Sequence, residues 1–164
     1  MRKLITIIAL IFASYTFGQT SKITQLFDQY QNTKGITSIK IAKPMFQLIN
    51  SLDINDSDMA KIKPLISKIN SLRIIVLEKD SENATQFTKL QSDITAALKG
   101  LNYEELMAIS EDGESIKILS ENTQSNLLNN LLLSINGEDE TVFMVLEGLI
   151  SMEDINGLIS NEEK

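Results

Sequence analysis

The sequence predicts an α+β fold: a mixed, largely antiparallel sheet with a C-terminal four-strand meander, and helices packed mainly on one face. Three observations lead there. Four segments in the second half, YEELMAIS, SIKILSE, NNLLLSIN and TVFMVLEGLI, carry strand-type alternation and are separated by turn residues. Upstream, several stretches repeat apolar residues at helical spacing. Between them lies LRIIVLE, too continuously apolar for a strand with one wet face.

Residues 1–18 read as a signal peptide, and residues 19–164 as a single α+β domain. Arg2 and Lys3 form a positive n-region, Leu4 to Phe12 an apolar core, and Thr16 and Gly18 the small residues before a cleavage site. Such a core is too short to make a stable transmembrane span. The expected location is therefore the periplasm or the exterior, with no stable membrane anchor after cleavage.

Along the mature chain, Ile23, Leu26, Phe27 and Tyr30 make one stripe of a short helix from Ser21 to Tyr30, with Gly35 free to take a left-handed turn conformation. Ile36 to Ile41 reads as a strand with Ile39 and Ile41 on one face. Pro44 suits the first turn of a helix whose inner stripe is expected to be Met45, Leu48, Ile49 and Leu52. Another helix is expected to begin near Pro64, because the residue before a proline avoids the α region. Leu72 to Glu78 is the strand of the apolar run, covered on both faces or with its second face partly covered. Ala84 to Lys99 is the longest helix, with Phe87, Leu90, Ile94, Ala97 and Leu98 inward.

The meander then begins. Asp112-Gly113 fits a two-residue hairpin turn that needs positive φ, and Gly137-Glu138-Asp139-Glu140 joins the last two strands. After it, Ser151 to Asp154 resembles a helix start, with Ile155, Leu158 and Ile159 as anchors. Met107 and Met144 are expected to fill core gaps, and Tyr30 and Tyr103 to edge the core with wet hydroxyls.

Composition narrows the chemistry. The chain has 164 residues, no His and no Cys. The usual general base near neutral pH, the thiolate nucleophile and the nitrogen and sulfur ligands of zinc and copper are therefore unavailable. None of the glycines forms a phosphate loop or a dinucleotide fingerprint. Asp53, Asn55 and Ser57 occupy the first, third and fifth places of a calcium loop. Asp58 stands where the glycine belongs and Pro64 where the bidentate glutamate belongs, so the loop is not an EF-hand. The acids Glu104, Glu105, Glu111, Asp112, Glu114 and Glu138 to Glu140 sit at strand ends and turns, where solvation is the ordinary fate of a charge. No catalytic, cofactor-binding or metal residue is assigned, and no cofactor is expected.

Charge is unevenly spread. From Gln19 to Tyr103 eleven basic residues face eight acidic ones, whereas from Glu104 to Lys164 two face fourteen. An acidic half argues against nucleic acid, whose phosphates need Lys and Arg. It suits either a solvated surface or the steering of a basic protein partner.

The ordered set FDQYQNTKGITSIKIAKPMF, LRIIVLE, YEELMAISEDGESIKIL and LLLSINGEDETVFMVLEGLISMEDINGLI resembles the bacterial family called domain of unknown function 4252. The resemblance implies a small exported protein of Gram-negative bacteria and a role beside envelope signalling. Many similar proteins carry a lipid-acceptor cysteine after the signal peptide, which this chain lacks. The resemblance implies no activity and no site residue. The expected function is a non-enzymatic envelope or secreted interaction module that uses its sheet or acidic half. The alternatives are a small-ligand or lipid carrier with a pocket between helices and sheet, and then a carboxylate-dependent hydrolase.

Overall fold

The computed structural model describes residues 18–52, 57–122 and 127–151. The signal-peptide core, the Asp53–Asp56 part of the calcium-like loop and the helix expected after Ser151 lie outside the described residues. The described elements are α1 (Gly18–Tyr30), β1 (Thr37–Ala42), α2 (Lys43–Ser51), α3 (Ser57–Lys68), β2 (Ile69–Glu78), α4 (Ala84–Lys99), β3 (Glu104–Glu111), β4 (Glu114–Asn122), β5 (Leu127–Asn136) and β6 (Glu140–Ser151). They form one six-stranded sheet in the order β1-β2-β6-β5-β4-β3.

Every pairing is antiparallel, so the parallel component of a mixed sheet is absent among the described strands. The reason lies in the connections. Two helices that pack on each other connect β1 to β2 and return the chain to pair antiparallel beside β1. The single helix α4 carries the chain from β2 to β3 at the opposite edge, and the meander β3-β4-β5-β6 closes back onto β2. Its first turn has φ of +47° at Asp112 and +87° at Gly113, the two-residue turn whose twist matches the flanking strands.

Antiparallel partners point to the same side, so the registers divide the sheet into two faces. Ile75 and Leu77 of β2, Phe143 and Val145 of β6, Leu132 of β5 and Leu119 of β4 share one face. Against them pack Ile23, Leu26, Phe27 and Tyr30 of α1 and Phe87, Leu90 and Ile94 of α4. Phe27 stacks on Phe143 with ring centroids 5.6 Å apart. Leu90, Ile94, Phe143, Ile75, Leu77 and Leu132 have no exposed surface, so the space between helices and sheet is filled by side chains.

Two upstream expectations are corrected. The stripe Met45, Leu48 and Leu52 is exposed at 51%, 55% and 45%, and α2 instead buries Phe46, one residue round the helix. Pro44 does sit in the first turn of α2. α3 begins at Ser57 rather than near Pro64, which lies inside the helix. A proline there forfeits one backbone hydrogen bond, and packing of α3 on α2 and β6 outweighs that loss.

Phe46 belongs to a second, smaller buried group with Ile69, Leu128 and Ile150, outside the main core. A bulge at Asn70 flips Ile69 to the face away from α1 and α4, where Ile150 and Leu128 also point. The α2–α3 hairpin therefore covers one end of the second face, while Leu149 on the first face stays exposed there. Gly148 makes this possible. A Cβ at that position would stand 2.6 Å from the Lys68 carbonyl oxygen, so only glycine lets the end of α3 cross so close to β6.

Candidate functional site: an open apolar sheet face

Beyond the reach of the α2–α3 hairpin, no described helix covers the second face. Its side chains form rows across the strands. The central row takes one residue from each strand: Ile39, Ile74, Met144, Leu133, Ile118 and Met107. One row nearer the hairpin turns stand Thr37, Val76, Val142, Ile135, Ile116 and Ile109. On the other side of the centre stand Ile41, Leu72, Leu146 and Leu131. Every apolar member keeps part of its surface open, and Ile39, Met107 and Ile109 exceed 36% exposure.

No charged residue interrupts the first two rows; the third is apolar across four strands and continues through Ser120 of β4 to Glu104 of β3. The next row toward the turns is the opposite: Glu78, Glu140, Glu114 and Glu111. Glu78 stands directly across from Glu140, and Glu111 from Glu114. Like charges paired this way cost stability. The face is thus polarised, apolar for most of its length and acidic at one end. Monomeric proteins seldom leave a contiguous apolar patch of several hundred Å² uncovered unless something binds it.

This placement corrects the expectation for the methionines. Met107 and Met144 do not fill the described core; both lie on the open face. Of the two tyrosines, Tyr103 packs against the edge of the core as expected, whereas Tyr30 lies within it. Tyr30 is buried, and its hydroxyl donates to Asp93 Oδ2 at 2.6 Å, which also accepts from Lys89 Nζ at 2.6 Å and Gln29 Nε2 at 3.0 Å. This cluster ties the end of α1 to α4. Burial and the Asp93 contact raise the Tyr30 hydroxyl above its ordinary pKa. Although partial burial opposes ionisation of Asp93, the hydrogen bonds from Lys89, Tyr30 and Gln29 outweigh it and lower its carboxyl. Tyr103 is half-buried, and burial together with the Glu121 and Glu147 charges pushes its hydroxyl up to about 12.

The acidic turns line a shallow cleft of about 510 Å³ between Glu111, Asp112, Glu114 and Glu138 to Glu140. Among the described residues no three acids converge closely enough to hold a metal ion. Glu105 lies elsewhere, paired with Lys117 at 3.3 Å, and Glu147 sits on the helix-covered face, accepting from Ser71 Oγ at 2.6 Å and facing Arg73 at 3.5 Å. Arg73 also lies over the Phe27 ring at 5.9 Å and reaches Thr24, so this charged group anchors α1 to the sheet.

The open face was only half visible in the sequence. Its rows come from the same strands whose alternate residues build the core, and no periodicity distinguishes an apolar face that is covered from one that is not. The signal that could have revealed it is quantitative: β2, β5 and β6 are apolar on both faces, yet the described helices are enough to cover one.

No curated protein and no solved structure matches the chain. A family model does match, over residues 30–158, a span that contains every described strand. The chain belongs to the family described as Domain of unknown function (DUF4252).

Proposed function

We propose that this chain is an exported, non-enzymatic interaction module that engages a protein partner through the open apolar face of its sheet. The observation that carries the reading is the run of two uncharged rows across six strands and a third apolar across four, bounded by a row of four glutamates. The apolar rows supply contact area, and the acidic end supplies orientation and steering. Export rests on the N-terminal pattern of a basic pair followed by a short apolar core, and places the module in the periplasm or outside the cell. The absence of His and Cys and the lack of convergence among the described acids support a binding role over a catalytic one. Carriage of a small ligand between helices and sheet has less support, because Leu90, Ile94, Phe143 and Leu132 fill that layer.

The test is capture from envelope extract with the mature chain and with Leu133→Glu, which places a carboxylate mid-face. The reading expects a protein retained by the wild type and lost with the variant, whose circular dichroism is unchanged. Equal capture by both would contradict it.

A further inference from the structure

The open face has the size and composition of a subunit interface, and we infer that its partner is a second copy of this chain, packed sheet against sheet. The inference rests on the reading of the face as a protein-binding surface. Six strands spaced about 4.8 Å apart, with three rows of side chains along them, present roughly 500–600 Å² per copy. Two copies would together bury about 1,000–1,200 Å², at the lower bound of stable specific interfaces. A surface whose three central rows hold no charge except Glu104 at the β3 edge resembles a domain core cut in half, the composition of permanent homodimers.

The glutamate row decides the orientation. A two-fold axis along the strands would set the row Glu78, Glu140, Glu114 and Glu111 against its own copy. An axis along the central row sets the strands of the two copies antiparallel and moves the glutamate rows to opposite ends. There each lies near the partner's α2–α3 hairpin, which carries Lys43, Lys63 and Lys68. The second arrangement avoids like-charge repulsion and places Met144, Leu133 and Ile118 of one copy over the same row of the other.

Sedimentation equilibrium of the mature chain and of Leu133→Glu tests this. The wild type is expected at twice the chain mass at micromolar concentration, with association strengthened by added salt, since salt screens the net negative charge and favours apolar burial. The variant is expected at the chain mass with an unchanged circular dichroism spectrum. Because the sequence has no cysteine, Ile118→Cys alone is expected to give a disulfide-linked dimer on oxidation, and Val142→Cys is not. A wild type at the chain mass overturns the second copy as partner. If such a monomer still captures another protein through Leu133, only the identity of the partner fails; if it captures none, the binding face itself fails. A dimer that survives Leu133→Glu, or one linked through Val142→Cys and not Ile118→Cys, overturns the face or the orientation respectively.

Discussion

Met144 of β6 and Leu133 of β5 stand directly opposite each other at the centre of the sheet, on the face away from α1 and α4. Their immediate neighbours, Phe143 and Leu132, point the other way and have almost no contact with solvent. Two adjacent residues on each strand therefore share an apolar composition and differ in their surroundings.

That difference sets a stability prediction. Leu132→Ala opens a cavity beneath α4 and is expected to cost about 2–5 kcal/mol. Leu133→Ala, measured at low protein concentration where no partner copy contributes, is expected to cost about 1 kcal/mol or less. Urea denaturation of both variants checks the difference. Equal losses would mean that the second face is as deeply packed as the first.

The glutamate row carries a cost that a single substitution relieves. Glu140→Lys replaces one like-charge cross-strand pair, with Glu78, by an opposite-charge pair. The monomer is expected to gain about 0.2–1 kcal/mol, with the gain shrinking at high salt. Thermal melts at two ionic strengths measure it, and a loss of stability would show that the row is held by contacts other than those on the described strands.

Tyr103 gives a pH dependence whose sign is fixed. Its hydroxyl is raised from an ordinary value near 10 to about 12, chiefly by burial and then by the Glu121 and Glu147 charges. The folded state thus holds this proton more tightly than the unfolded chain does. The stabilisation is fully present below pH 10 and is lost as pH rises through 12. Tyr103→Phe has no such proton to lose, so its stability is expected to fall less than the wild type's over that window. Denaturation midpoints for both chains at about pH 9, 10, 11 and 12, a series that spans the shift, provide the comparison.

The sequence was most informative where local chemistry sets local geometry. Asp112-Gly113 specified its hairpin, the four meander segments specified β3 to β6, and Phe87, Leu90 and Ile94 specified the inner side of α4. It was least informative where the outcome depends on which surfaces meet. The apolar stripe of α2 is conspicuous at Met45, Leu48 and Leu52, yet tertiary packing turns Phe46 inward instead. Pro64 looked like a helix start because a proline is cheapest there, and contacts of α3 carry the helix through it. The site was harder still. Met107 and Met144 occupy strand positions that would serve a core equally well, and only the placement of the four described helices shows which face they leave open.

The most direct test places a photo-activatable cross-linking residue at Met144, on the open face, and in a second chain at Lys89, on the exposed side of α4. Both are expressed with the native N-terminus and irradiated in intact cells. The account predicts a discrete protein adduct from position 144 and none from position 89, with an adduct of twice the chain mass if the partner is a second copy. Irradiation that yields no adduct at 144, or the same adducts from both positions, would contradict the claim that the open face is where this protein binds.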